Sequence, residues 1–232
     1  MISSDPPSTE PRTGPASIRL GTGTSTALQA PPPSGQALKD LKSDVKRAWM
    51  TIVYTLGLVW GIGVLNALTG GLLNNFGITP RTLWGLPGIL LWPLLHGGFL
   101  HLLGNTIAFL TVGVAVLMRN ERHFWVTTAM GTIVGGSLVW LLALGQSTHV
   151  GASGVIFAYL GYLFATGWFE RRITSMVLSF VSLIIFGGAL WGVLPVTPGV
   201  SWEGHLFGLF AGVLSAWWLA RDGRKRLPAT TG

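Results

Sequence analysis

The chain alternates between six apolar runs and short polar connections, after an opening stretch that has no such pattern. The runs are approximately residues 50–68, 99–118, 124–144, 152–169, 173–194 and 203–220. Each is near the roughly 20 residues that a helix needs to cross a bilayer. The pattern predicts an all-α membrane protein of six transmembrane helices. Residues 69–98 are too apolar for an ordinary loop and too broken by Gly and Pro for one helix. Irregular backbone at membrane depth is tolerated only where protein or a water-filled cavity surrounds it. This first outer loop is therefore expected to be partly embedded in the membrane. Residues 1–38, rich in Pro, Ser, Thr and Gly, read as a disordered tail. Residues 39–226 read as the membrane domain and 227–232 as a short C-terminal tail. No apolar stretch of the secretory type follows Met1, so the opening is not read as a signal peptide.

Composition supports a membrane solvent. Only 10% of residues are charged while 49% are hydrophobic, which separates the chain from soluble globular proteins. The net charge of +7 raises the question of a nucleic-acid partner. Its distribution argues against one, because the basic residues sit in the short connections. With no cysteine in the chain, disulfides, thiolate metal sites and cysteine nucleophiles are excluded.

Charge also orients the runs. Lys39, Lys42, Lys46 and Arg47 precede the first, Arg119 and Arg122 follow the second, and Arg171 and Arg172 follow the fourth. Arg221, Arg224, Lys225 and Arg226 follow the sixth, and Arg81 alone falls on the opposite side. The positive-inside rule then predicts both termini in the cytoplasm. Trp49, Trp125, Trp168, Trp217 and Trp218 would mark the inner interface, and Trp84, Trp92, Trp191 and Trp202 the outer one. In this topology His101, Asn105, Ser153 and His205 fall at one depth. At about 1.5 Å per residue, each is within roughly 10 Å of its outer helix end.

Polar and ionisable side chains inside membrane helices are functional-site candidates. Ser153 lies in Gly151-Ala152-Ser153-Gly154, at the first turn of the fourth run, where free N–H groups and the helix dipole favour negative charge. Gly151 and Gly154 permit close approach by a substrate backbone. Serine needs a base to become a nucleophile, and histidine is the usual one. His205 lies in Gly204-His205-Leu206-Phe207-Gly208, with Gly212 following. Gly204, Gly208 and Gly212 form a small face matching Gly154, Ala158, Gly161 and Ala165 of the fourth run, so the two helices can pack closely. The bland alternatives are a small residue at a helix contact for Ser153 and a packing histidine for His205. Glu203 stands two positions from His205 and so on another face, which favours a Ser–His dyad with Glu203 exposed at the interface. His101 and Asn105 share a face four residues apart and can donate hydrogen bonds to an oxyanion. A zinc site held by three histidines is the competing reading, weakened by the lack of an acidic partner and by the ready role for Ser153. His123 and His149 read as bystanders.

The segment from His96-Gly97-Gly98-Phe99-Leu100-His101 through Asn105, then Gly151-Ala152-Ser153-Gly154, then Gly204-His205-Leu206-Phe207-Gly208 with Gly212, resembles the rhomboid family of intramembrane serine proteases. The resemblance covers roughly residues 49–220 and agrees in order, spacing and the run carrying each motif. It implies a rhomboid-like six-helix bundle, with Ser153 as nucleophile and His205 as base. It also implies an oxyanion hole of His101, Asn105 and the Ser153 N–H, supported by His96 and Gly151, and an aromatic Phe157 packed on the histidine. No cofactor or metal is implied. The expected partners are transmembrane protein substrates and the lipid bilayer, and the expected place is a bacterial plasma membrane with the site toward the outer leaflet. Two features depart from the family pattern. Arg81 and Trp84 replace an adjacent Trp-Arg pair, and Leu117 stands where a Glu is frequent. The alternatives are a non-proteolytic rhomboid-like protein that binds client transmembrane helices, and a small transporter, which would more naturally carry paired broken helices.

Overall fold

The computed structural model describes residues 35–196 and 199–226. The chain divides into a unit ending at Asp40, of which residues 35–40 are described as helix, and a unit from Leu41 onward. Residues 1–34 and 227–232, read from sequence as tails, lie outside the described residues. Six helices of 18 residues or more carry the fold: α1 Gly35–Leu68, α2 Phe99–Arg119, α3 Glu121–Leu142, α4 Ser153–Glu170, α5 Ile173–Val193 and α6 Trp202–Arg226. No strand is present among the described residues apart from an isolated bridge between Ile78 and His149.

The first helix starts before the point where the sequence placed the end of the tail. It begins at Gly35, and Gln36 Nε2 donates to Asp40 Oδ1 at 3.0 Å, one turn on. Asp44 and Arg47 form a second local pair at 2.5 Å. Polar i,i+3 and i,i+4 pairs of this kind support a helix without apolar periodicity, which is why the apolar pattern missed it.

α1, α2, α3 and α5 are long and apolar enough to cross a membrane by length and composition. α4 and α6 are less apolar: α4 carries Gly, Tyr and Glu170, and α6 carries Gly, Trp and several charged residues. α4 is also the most enclosed, with residues 154–163 all buried. Its surroundings are largely protein rather than lipid, so a less apolar sequence suffices. α5, in contrast, presents Ile173, Val177, Phe180 and Ile184 outward. α2 and α3 are each interrupted by one π turn, at Phe109–Gly113 and Gly131–Gly135.

Glycines set the distance between α4 and α6. A β-carbon added to Gly208 would lie 2.0 Å from Gly154 O, and one added to Gly212 would lie 2.0 Å from Ala158 O. From the other side, a β-carbon on Gly161 would lie 2.2 Å from Leu209 O. The two backbones therefore touch at three points over about two turns, the close approach expected of small-residue faces.

Residues 69–98 contain short turns of helix, Leu72–Phe76 and Leu83–Leu94, rather than one continuous element. Arg81 anchors this segment to the C-terminal end of α3. Its Nη1 donates to Ala143 O at 2.6 Å, its Nη2 to Gly145 O at 3.2 Å, and its N–H to Trp140 O at 2.9 Å. Ile78 and His149 exchange two backbone hydrogen bonds, of 3.0 and 2.8 Å. Trp92 corrects the expectation of an interfacial side chain, being only 1% exposed. Its indole lies against Gly136, Gly154 and Gly204, one glycine each from α3, α4 and α6. Trp84 and Trp191 are exposed.

Candidate active site

Ser153, His205, His101 and Asn105 line one cavity of about 660 Å3. They come from three helices, α4, α6 and α2, and no two of these helices are consecutive. Ser153 is the first residue of α4 and half-buried. Its N–H belongs to the first turn, where backbone donors have no intrahelical partner. The two residues before it are fixed by other segments. The Gly151 N–H donates to Trp92 O at 2.8 Å, and the Ala152 N–H donates to His96 Nε2 at 3.5 Å.

His205 is buried, and its ring stacks on Phe157 with centroids 4.1 Å apart and planes 6° from parallel. Its Nδ1 lies 2.8 Å from Gly192 O. A carbonyl only accepts, so Nδ1 is the protonated nitrogen of the neutral ring and Nε2 is left as the basic one. The orienting partner is thus a backbone carbonyl rather than a carboxylate. Ser153 and His205 share the cavity without a hydrogen bond between them among the described residues. In substrate-free sites such contacts are often long and tighten only in the complex.

Gly151 adopts φ 126° and places its α-carbon directly beside His101 and Asn105. A β-carbon there would lie 2.7 Å from His101 Nε2 and 3.4 Å from Asn105 Nδ2. The Gly97 N–H donates to His101 Nδ1 at 3.4 Å, which leaves the proton of the neutral ring on Nε2. Asn105 is buried, and its Nδ2 has no hydrogen-bond partner among the described residues. His96 stands behind this pair. Its Nδ1 lies 3.3 Å from Leu94 O, and its main-chain O accepts from Asn66 and Asn74. Burial, reinforced by the neighbouring His101, pushes the His96 pKa down to about 4, so the ring is neutral near pH 7.

Two sequence readings change. Glu203 is not exposed at the interface: it is buried, and its Oε1 accepts the Leu144 N–H at 3.3 Å. The carboxylate serves the end of the α3–α4 connection, and it sits at the first turn of α6, where negative charge is favoured. His149 is not remote from the site either. It is buried and lines the same cavity, with its Nδ1 2.6 Å from Ser201 Oγ. The available signal was its position four residues before Ser153, in a segment the motif itself fixes. Gly192 and Trp92 gave no sequence signal, since one acts through a carbonyl and the other fills a socket built from distant glycines.

His123 lies at the opposite end of the fold. Its Nδ1 lies 2.6 Å from Tyr162 Oη, near an Arg119–Glu170 ion pair of 2.5 Å that also takes Ser175 and Thr166. It has no part in the cavity.

Apolar helices of spanning length around a serine–histidine cavity mark an integral membrane protein of the kind the motifs pointed to. Residues 80–222 match the model of the Rhomboid domain. An uncharacterised Mycobacterium tuberculosis protein, Rv1337, is 35% identical over 86% of this chain and 88% of its own length. A Mycobacterium leprae protein, ML1171, is 35% identical over 88% of this chain and 86% of its own length. RHOMBOID-like protein 5 of Arabidopsis thaliana is 36% identical over 51% of this chain and 40% of its own length. The chain belongs to the rhomboid family.

Proposed function

We propose that this rhomboid is an intramembrane serine endopeptidase that cleaves membrane-anchored proteins in or next to their transmembrane segment. The observation that carries the reading is the shared cavity of Ser153, His205, His101 and Asn105, with His205 Nδ1 held by Gly192 O and Asn105 Nδ2 left unpaired. His205 Nε2 would take the proton of Ser153 Oγ as that oxygen attacks the scissile carbonyl. The Ser153 N–H, His101 Nε2–H and Asn105 Nδ2–H would stabilise the resulting oxyanion, with Gly151 leaving room for it and His96 holding the segment behind. His205 would then protonate the leaving amine, and water would hydrolyse the acyl-enzyme. No step calls for a metal or organic cofactor.

The membrane arrangement is part of the proposal. All six helices cross the bilayer, with both termini in the cytoplasm of a bacterial cell and the cavity in the outer leaflet. The clustering of basic residues at one set of helix ends supports this orientation. The test is Ser153→Ala in the purified protein, returned to lipid with a panel of single-span substrates. Ala is small and helix-compatible, so the fold should persist. Wild type should cleave and react with a fluorophosphonate probe, and the variant should do neither. Substantial cleavage by Ser153→Ala would remove Ser153 as nucleophile. Substrate retention without cleavage or labelling by wild type would favour a client-binding protein instead.

A further inference from the structure

Among the described residues, two buried side-chain atoms lack a hydrogen-bond partner: Asn105 Nδ2 and His149 Nε2. Both residues line the cavity of Ser153 and His205. The oxyanion accounts for the first. The second has no place in the mechanism above. Native structures pair nearly all buried polar groups, so an unpaired one in a substrate cavity calls for a partner that arrives later.

The surroundings of His149 define what that partner is. The backbone is fixed by the two hydrogen bonds to Ile78, and the residue is 4% exposed. The ring reaches toward Ser201, with Nδ1 2.6 Å from its Oγ. That hydroxyl already accepts the Gly204 N–H at 3.2 Å, and its own hydrogen is available to His149 Nδ1. The ring proton then sits on Nε2. Burial lowers the pKa of His149 more than the Glu203 carboxylate raises it, so the ring is neutral near pH 7. Nε2 is therefore a donor, and it needs an acceptor. Residues 148–150 and 199–201 line the cavity together with Ser153. A peptide chain entering this space brings one carbonyl acceptor per residue.

We propose that His149 is a substrate-binding residue of the cleavage reaction, whose Nε2–H binds a main-chain carbonyl of the substrate beside the scissile bond. The inference rests on the protease reading. It differs from the oxyanion hole in that the bond forms with substrate already in the ground state. Its loss raises KM and leaves the chemistry of Ser153 intact.

Three measurements on the full chain in lipid test this: KM and kcat for a transmembrane substrate, the rate of fluorophosphonate labelling, and thermal unfolding. His149→Asn puts an amide in the place of Nδ1 and leaves nothing in the place of Nε2. It should raise KM about tenfold, as loss of one hydrogen bond to substrate does, with kcat and labelling near wild type. His149→Gln reaches the Nε2 position and should restore KM to within about threefold of wild type, even where it unfolds at lower temperature. An unchanged KM in His149→Asn would overturn the inference and leave a trapped water as the partner of Nε2. Parallel loss of labelling and cleavage in both variants would overturn it too, as the mark of a purely structural histidine. A wild-type chain that neither labels nor cleaves would remove the protease reading, and this inference with it.

Discussion

Replacing Gly208 with Ala puts a methyl group where the structure has no room for one. The added carbon would lie 2.0 Å from Gly154 O, 2.8 Å from Gly154 C and 3.1 Å from Gly154 Cα, all backbone atoms. Ordinary contact begins at 3.4 Å, so the closest pair is about 1.4 Å short. No rotamer change relieves a backbone clash, and α4 and α6 must move apart by something on the order of 1 Å. Gly154 adjoins Ser153, and Gly208 is three residues beyond His205. The separation therefore opens the gap that a proton must cross between Ser153 and His205. A base has to come within about 2.6–3.2 Å of the proton it removes, and a 1 Å misplacement costs about 10²-fold in rate. Overpacking costs about 1–3 kcal/mol, offset by about 1 kcal/mol for Ala over Gly in a helix, so most of the molecules should still fold. Gly61→Ala is the control, since nothing lies within 4 Å of a β-carbon there. Cleavage, probe labelling and thermal unfolding are compared in one lipid. The control should match wild type, and Gly208→Ala should lose about 10²-fold in both reactions. If Gly208→Ala labels and cleaves at the wild-type rate with an unchanged unfolding temperature, the α4–α6 distance does not govern the dyad.

Asn105→Ala removes one oxyanion donor and should lower turnover by about 10²- to 10³-fold while slow probe labelling persists. Glu203→Gln keeps an acceptor for the Leu144 N–H and should stay near wild type. Were it as crippling as Ser153→Ala while Asn105→Ala was harmless, a Ser–His–Glu arrangement would replace the dyad. His96 carries a pH dependence of stability. Its folded pKa of about 4 lies below the ordinary 6.5, so the unfolded chain takes up the proton first. Stability present above pH 6.5 is then lost as the pH falls toward about 4, by up to about 3 kcal/mol. Thermal unfolding against pH, for wild type and His96→Gln, reads this directly. Equal slopes in the two proteins would exclude His96 as the source.

The helices of this fold were legible because lipid and protein both demand long apolar runs. The pairing of α4 with α6 was legible because glycine spacing is a local property. Ser153, His205, His101 and Asn105 could be grouped through their common distance from helix ends, which needs only a topology and a rise per residue. What escaped was the choice among chemically equal candidates. Trp84 and Trp92 stand in the same apolar, Gly- and Pro-broken loop, yet one is exposed and the other enclosed. The difference is made by Gly136, Gly154 and Gly204, and no spacing rule links those positions to residue 92. Glu203 was placed exposed at the interface because, two positions from His205, it shares no helix face with that histidine. The acceptor it supplies to Leu144 depends on a connection whose path the sequence does not encode locally. His149 was passed over for the same reason, since its partner Ser201 is 52 residues away.

The Trp92 socket has a consequence for how the chain is assembled. Proteins are made from the N-terminus, and the outer loop with Trp92 is complete before any of its three glycines has been synthesised. Gly204 is the last of them, at the start of α6. Until α6 is in place the indole lacks the wall that Gly204 supplies. Closure of the socket and the arrival of His205 in the cavity therefore fall at the same stage of biogenesis. A nascent chain stalled before α6 therefore carries Ser153 with neither His205 nor the last wall of the Trp92 socket.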